Sequence, residues 1–380
     1  MVIANIEDLR RLARRRLPRA LFDFVDGGAQ DEVTLRANQS DFQRLALLPR
    51  VLTDVSKRDQ SVTVLGRKWE QPLILAPTGM PGILWPNGAL AAAQAADKAG
   101  VGFCLSTMST STIEDVSKAV GKPIWFQLYV MRDRGLAKSM IERAKAAGCA
   151  ALVLTVDLAL QGQRDRDMHN GLTIPLQLRP SMLMEFALHP GWVWRFFTGP
   201  KLTVANFVDT GHGDDMFTIA EFVNSQFDQS VIWKDIEWAK SLWGGPLALK
   251  GIVNPEDARL AADHGVDAVI VSNHGGRQLD GARSAISSLP DVVDAVDGKM
   301  EVILDGGVRR GTDVIKAIAL GAKACMIGRP FLYGLASMGG AGVSRALEIL
   351  RNELDVGLAL VGRASVRDLD RSALAWASHY

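Results

Sequence analysis

The sequence predicts an α/β fold, a (β/α)8 TIM barrel with an N-terminal helical cap and a long insertion in the fourth βα loop. Two observations carry this. Eight short runs rich in Val, Ile and Leu recur along the 380 residues, and such runs read as parallel strands buried on both faces. Ala-rich amphipathic segments such as GALAAAQAADKAG, LAKSMIERAKAAGC and TDVIKAIALGAK lie between them. Strand followed by helix, eight times over, closes a barrel. A doubly wound sheet is the competing architecture. Against it, no GxGxxG follows the first run, and polar residues close nearly every run instead of gathering at one crevice.

In chain order, residues 1–65 read as helices forming a small cap. There Arg10, Arg11, Arg14, Arg15 and Arg16 are expected on one solvated helix face. The runs are PLILAPTG (72–79), VGFCLST (101–107), PIWFQLYV (123–130), ALVLTVD (151–157), PLALKG (246–251), DAVIVSNHGG (267–276), EVILDGG (301–307) and KACMIGR (323–329). They start 21 to 34 residues apart, except that the fourth and fifth are 95 apart. The excess places an insertion over residues 176–230, on the face where barrel active sites lie. The barrel is then expected over 72–175 and 231–345, and C-terminal helices over 346–380, all as one domain.

Composition narrows the function. Basic and acidic residues nearly cancel, 43 against 42, so nothing draws the chain globally to nucleic acid. Cys104, Cys149 and Cys325 form no CxxC and are expected as small buried hydrophobes, with no disulfide framework and no metal. The N-terminus MVIANIEDLRRLARRRLPRA lacks the apolar core of a signal peptide. No stretch reaches the ~18 uncharged apolar residues of a spanning helix. The expectation is a protein facing the cytoplasm that does not cross a bilayer.

The strand ends carry the chemistry. They read Pro77-Thr78-Gly79, Ser106-Thr107, Gln127-Leu128-Tyr129, Thr155-Val156-Asp157, Lys250-Gly251, Ser272-Asn273-His274-Gly275-Gly276-Arg277, Asp305-Gly306-Gly307-Val308-Arg309 and Gly328-Arg329. Singly each is weak; together they describe one polar mouth. DGGVRRG and GRP, after strands 7 and 8, form a glycine and arginine cradle at the usual barrel phosphate site. Its ligand is a phosphorylated substrate or a cofactor such as FMN. His274 is a candidate general base. Arg277, three residues on, offers a planar fork to a carboxylate. Asp157 is placed to orient His274 and stabilise its charged form.

SNHGGRQLD (272–280), LDGGVRRGTDVIKAIALGAKACMIGRP (304–330) and LPRALFDFVDGGAQDE (17–32) resemble the FMN-dependent L-2-hydroxy acid dehydrogenase/oxidase family, and the resemblance covers nearly the whole chain. PTGMPGILWPNGALAAAQAADKAG (77–100) and RDRDMHNGLTIP (164–175) are similar to its mandelate dehydrogenase branch, while WFQLYVMRDRG (125–135) and TVDLALQGQRDRD (155–167) resemble the bacterial L-lactate dehydrogenase branch. The resemblance implies an FMN enzyme that turns an L-2-hydroxy acid, mandelate-like or lactate, into the 2-keto acid. It implies that Pro77, Thr78, Gly79, Ser106, Gln127, Thr155 and Ser272 border the flavin and its ribityl chain, and that Lys250 faces the flavin ring. Asp305, Gly306, Gly307, Arg309, Gly328 and Arg329 would hold the phosphate. Tyr129, Arg164 and Arg277 would bind the substrate, with His274 as base and Asp157 as its partner. A homotetramer is implied as well.

One position departs from the family pattern. Phe24 stands where most members carry a tyrosine that helps hold the carboxylate, and in this the chain resembles hydroxymandelate oxidases. Gly79 and Met108 leave room for an aryl or longer substrate side chain, since one has no side chain and the other is pliable.

The insertion bears on the electron acceptor. Met182, Leu183, Met184, Phe186, Leu188, Trp192, Val193, Trp194, Phe196 and Phe197 fall within sixteen positions, with Arg179, Arg195 and Lys201 among or beside them. Its longest uncharged run there is nine residues, Phe186 to Trp194, too short to span a bilayer. Aromatics mixed with cations are what an interfacial, monotopic segment shows. The expectation is peripheral attachment to the cytoplasmic side of the inner membrane, with a membrane quinone as acceptor. Two alternatives stand beside it. One is a soluble oxidase that makes peroxide from oxygen. The other is a non-catalytic FMN-binding barrel, which would have no use for the set of His274, Arg277 and Lys250.

Overall fold

The computed structural model describes residues 2–172, 180–210, 221–222 and 224–376. The eight runs are strands: β1 (Leu73–Leu75), β2 (Gly102–Ser106), β3 (Trp125–Tyr129), β4 (Ala151–Thr155), β5 (Leu247–Ile252), β6 (Ala268–Val271), β7 (Glu301–Asp305) and β8 (Ala324–Ile327). Each pairs in parallel with the next, and β8 pairs with β1 to close the barrel. Every residue of β1, β2, β4, β6 and β8 is buried. Burial on both faces is why these runs lack the alternation of a half-exposed strand. The connecting helices start at side-chain caps. Asp133 accepts from the Gly135 and Leu136 N–H groups, and Asn254 accepts from Glu256 N–H ahead of a Pro at the first turn.

Three helices precede the barrel: α1 (Ile6–Arg16), α2 (Arg19–Asp26) and α3 (Val33–Gln43). A hairpin pairs Val62–Val64 with Arg67–Trp69. It turns through Leu65 (φ 45°) and Gly66 (φ 73°), two left-handed residues of the kind a two-residue hairpin turn requires. Leu65 N–H donates to Glu301 Oε2 at 2.8 Å. Because Glu301 begins β7, the hairpin lies at the N-terminal end of the barrel, away from the strand ends that carry the polar residues.

Two expectations are corrected. The arginines of α1 do not share one solvated face: Arg10 is bidentate on buried Asp26, at 2.6 and 2.9 Å, and Arg16 donates to the Ser337 carbonyl. The C-terminal stretch is not all helix. Gly362 (φ 72°) ends the Gly340–Val361 helix, and Leu374–Trp376 forms a strand antiparallel to Leu45–Leu47. Helix propensity in the tail thus yields to pairing with an apolar strand of the cap.

Of the insertion, residues 176–179 (with Arg179), 211–220 and 223 lie outside the described residues. It carries α4 (Asp165–His169) at its approach, then α5 (Pro180–Ala187) and α6 (Pro190–Thr198). Its aromatic stretch is not uniformly outward. Trp192 is 8% exposed, and its indole N–H donates to the Ile83 carbonyl at 2.8 Å. Val204, Asn206 and Phe207 are buried, and Asn206 Oδ1 accepts from Ile113 N–H. Trp194 and Phe197, in contrast, are 70% and 78% exposed. One face of the segment is therefore anchored to the barrel while the other is left uncovered. No helix among the described residues is long and apolar enough to cross a membrane.

Candidate active site

Strand register builds the mouth. Tyr129 pairs with Thr155, and Thr155 with Lys250, across three adjacent strands; Ser106 pairs with Gln127 one strand earlier. Side chains in register on a parallel sheet share a face, so this row looks into the barrel mouth. At Gly251 the ladder between β5 and β6 shifts. Gly251 has φ 111°, and a Cβ there would lie 2.6 Å from the Asp157 Cβ. Only glycine lets the end of β5 pass so close to Asp157.

His274 follows β6 in a left-handed backbone conformation, φ 58°, with its N–H on Ser272 Oγ at 3.0 Å. Its Nδ1 lies 2.9 Å from Asp157 Oδ1. Burial pushes the Asp157 carboxyl up, but the opposing effects of His274 and Lys250 are larger and hold it below the ordinary value. An ionised Asp157 makes Nδ1 the donor and leaves Nε2 to accept a proton. Asp157 Oδ2 is buried without a hydrogen-bond partner among the described residues.

Lys250 is 3% exposed. Its Nζ reaches Asp305 Oδ2 at 2.7 Å and Ser272 Oγ at 2.9 Å. Burial disfavours the ammonium, yet Asp305 and Asp157 raise its pKa on balance, so a fixed positive charge stands beside the mouth. The Asp305 side chain is thus directed to Lys250 and Ser272.

Two arginines stand near enough at the mouth for the charge of one, Arg164, to lower the pKa of the other, Arg277. Arg277 Nη1 donates to the Phe24 and Gly27 carbonyls at 2.6 and 3.1 Å, and its guanidinium lies 5.2 Å from the Phe24 ring centroid. No hydrogen bond of the described residues uses its Nε or Nη2. Among the described residues Arg164 Nη1 has a long contact to Asp167, 3.5 Å, and its Nε is buried without a hydrogen-bond partner. Burial, then the charges of Arg164 and Arg329, push the Arg277 pKa well down. The pair is one anion short, which is the electrostatic signature of a carboxylate site. Tyr129 lies beside them, its phenol held protonated by burial and by Asp157, and its ring edge against Phe227 at 5.4 Å. Facing these, a Cβ on Gly79 would lie 3.2 Å from the Met108 Cβ.

The glycines after β7 have left-handed backbone. Gly306 and Gly307 have φ 115° and 84°, and a Cβ on Gly307 would overlap the Asn38 carbonyl oxygen. Gly328 leads into α7 (Arg329–Met338), whose first amides point out of the helix. The arginines behave differently from expectation. Arg329 spends its guanidinium on the carbonyls of Val25, Gly275 and Gly27, at 3.0, 2.9 and 2.7 Å. It ties α2 to the His274 loop through three of its five N–H donors. Arg309 Nη1 rests on its neighbour's Val308 carbonyl.

Sequence reasoning missed the supports. Asn38 and Asn273 exchange two amide hydrogen bonds, at 2.8 and 2.9 Å, and so lock α3 to the His274 loop. Gln278 holds the Asp157 and Leu160 carbonyls, both at 2.9 Å. Arg166 joins Asp26 and Glu32, at 3.2 and 2.5 Å. Gln278 and Arg166 fall inside or beside quoted motifs, but nothing in their spacing separates them from surface residues.

The chain matches the family described as FMN-dependent dehydrogenase over residues 13–376. The L-lactate dehydrogenase of Caulobacter sp. (strain K31) is 45% identical over 377 residues, with 99% of each chain covered. That of Acinetobacter baylyi is 42% identical over 376 residues, with 98% of each covered. Among solved structures, the monotopic membrane protein (S)-mandelate dehydrogenase superposes with a TM-score of 0.96 at 40% identity, covering 99% of this chain and all of that one, 100%. A mandelate oxidase superposes at 0.85 with 37% identity over 98% of each chain. Fold, site and matches define an FMN-dependent oxidoreductase acting on 2-hydroxy acids. The chain belongs to the FMN-dependent dehydrogenase family.

The residues present fit that cofactor. Gln127 Nε2 on β3 and Thr155 Oγ1 on the adjacent β4 are buried with no hydrogen-bond partner among the described residues. Buried polar atoms left so are costly unless a ligand satisfies them. At Gly306 and Gly328 an added Cβ would meet nothing closer than 3.8 and 3.9 Å, so the cradle backbone is open to a phosphate.

Proposed function

We propose that the chain oxidises an L-2-hydroxy acid at His274 and passes the electrons to a membrane quinone. The observation that carries the site is the Arg277–Arg164 pair, two buried guanidiniums with Asp167 as their one nearby carboxylate among the described residues, together with an imidazole already held by Asp157. A substrate carboxylate supplies the missing anion, on Arg277, Arg164 and the Tyr129 hydroxyl. That docking sets the substrate's H–C–OH carbon near His274. Its Nε2 removes one proton, and the Asp157 carboxylate stabilises the resulting imidazolium. Bound FMN supplies the two-electron acceptor for the substrate carbon. Lys250, held by Asp305 and Ser272, keeps a positive charge where that electron pair arrives. Pro77, Thr78, Gly79, Ser106, Gln127, Thr155 and Ser272 border the ring and ribityl chain. Gly306, Gly307, Arg309, Gly328 and the Arg329 backbone receive the phosphate. The substrate's own side chain lies against Gly79, Met108 and Phe24, where Phe24 gives an apolar surface.

The acceptor reading rests on the uncovered face of the insertion. Leu183, Met184, Leu188, Trp194 and Phe197 are 58 to 78% exposed, on two helices and the turn between them, neither helix long enough to span. Such a face is stabilised by lying in a bilayer interface. The monotopic (S)-mandelate dehydrogenase supports the same reading, and attachment to the cytoplasmic side is part of the proposal. A homotetramer is part of the proposal. Sedimentation tests it. The protein is expected with membranes at low salt, and replacing residues 177–201 by a short polar linker is expected to release it. Residues 202–208 are retained because Val204 and Phe207 are core. A wild-type protein wholly in the supernatant without detergent would overturn the membrane reading and favour the oxidase, which stoichiometric peroxide in air would identify.

A further inference from the structure

A cavity of about 460 Å³ opens between the loop after β1 and helix α6. It is separate from the mouth but adjoins it. Its floor is Gly82 and Thr110, joined by Gly82 N–H to Thr110 Oγ1 at 3.1 Å. Gly82 follows Gly79 by three residues and Thr110 follows Met108 by two, and the Met80 N–H to Met108 carbonyl bond, 2.9 Å, clamps the two segments together. The cavity therefore shares its wall with the segments that border the mouth.

Its chemistry is flat rings around one unused donor. Trp85, Phe196 and Phe197 line it, and the Arg195 guanidinium lies 4.7 Å from the Trp85 ring centroid. Arg195 Nε is buried with no hydrogen-bond partner among the described residues, and no carboxylate among them lines the cavity. Burial and the nearby charge of Arg16 disfavour the Arg195 cation, so a ligand acceptor there is welcome. An acyl chain would leave the Nε unsatisfied. A planar ring bearing a carbonyl satisfies both features, stacking on the aromatics and accepting from Arg195. Phe197 at the cavity and Trp194 beside it belong to the exposed face, which gives an apolar tail its way out.

We infer that this cavity receives the headgroup of the lipid quinone, with one ring carbonyl on Arg195 Nε. This rests on the quinone acceptor proposed above. One quinone takes two electrons from the reduced enzyme and two protons from water to become one quinol, and the enzyme returns to its oxidised state. The cationic Arg195 favours the carbonyl oxygen on which charge accumulates.

The test uses detergent-solubilised holoenzyme with decyl-benzoquinone as acceptor and ferricyanide as a hydrophilic control. Arg195→Met is expected to raise the KM for the quinone by about tenfold, the scale of a lost hydrogen bond to a charged donor. Flavin reduction by substrate and turnover with ferricyanide are expected within about twofold of wild type on the same scale. Arg195→Lys is expected to recover part of the loss. Phe197→Ala, at an exposed position that the fold does not need, is expected to raise the same KM alone. An unchanged quinone KM in both Arg195→Met and Phe197→Ala overturns the cavity assignment, as does a parallel fall in all three activities. A wild-type enzyme that is bleached by substrate yet reduces no quinone overturns the acceptor reading itself.

Discussion

Asp157 Oδ1 lies 2.9 Å from His274 Nδ1, while Oδ2 of the same carboxylate is buried without a hydrogen-bond partner among the described residues. One oxygen fixes the imidazole; the other keeps the negative charge undiluted. Asp157→Asn would keep the shape and lose the charge, and an amide can present its NH2 to Nδ1 and favour the wrong tautomer. We expect bound FMN to be retained and kcat to fall by about 100-fold or more. Flavin fluorescence and steady-state rates check both; a kcat near wild type would mean that the charge of Asp157 is not used.

Arg277 is held by two backbone carbonyls through one nitrogen, which leaves its other nitrogens to the substrate. Arg277→Lys preserves the charge without the fork. We expect kcat/KM to fall by at least about tenfold for every 2-hydroxy acid tested. A decrease confined to one substrate would place the carboxylate elsewhere.

Asp26 is 6% exposed and accepts from Arg10 and the Tyr333 hydroxyl. Burial pushes its carboxyl up, but the hydrogen bonds from Arg10 and Tyr333 prevail and hold it at about 2. A depressed carboxyl contributes stability above its unfolded value, near 4, and loses it as pH falls through its folded value. The contribution is about 2 kcal/mol by that linkage. We expect the difference in unfolding free energy between wild type and Asp26→Asn, measured in denaturant, to be constant from pH 5 to 7. It should shrink as pH drops from about 4 towards 2. A pH-independent difference would mean that Asp26 acts by shape alone.

The barrel was legible because both-face burial writes each strand as an apolar run, and the mouth was legible because chemistry-bearing residues cluster at the ends of those runs. Three-residue elements outside the apolar barrel runs, such as Leu374–Trp376, carry too little pattern to be read. Their partners lie far away in the chain, and no local period announces them. The same holds for Asn38 with Asn273, 235 residues apart. Arg329 illustrates the limit differently. Its place beside the cradle followed from GRP, but the aim of its guanidinium depends on the Val25, Gly27 and Gly275 carbonyls that the fold brings around it. Likewise the aromatic insertion announced an apolar surface, but not which of Trp192 and Trp194 would be anchored and which uncovered.

The central claim, that His274 removes a proton from an L-2-hydroxy acid so that its electrons reach FMN, is tested by anaerobic flavin bleaching. The purified yellow protein is mixed with L-mandelate, L-lactate and glycolate in separate stopped-flow runs, alongside His274→Ala carrying the same amount of FMN. The wild type is expected to lose its flavin absorbance with at least one of them, and His274→Ala to do so at least about 100-fold more slowly. Absence of bleaching with all three, or equal bleaching by His274→Ala, would contradict the account.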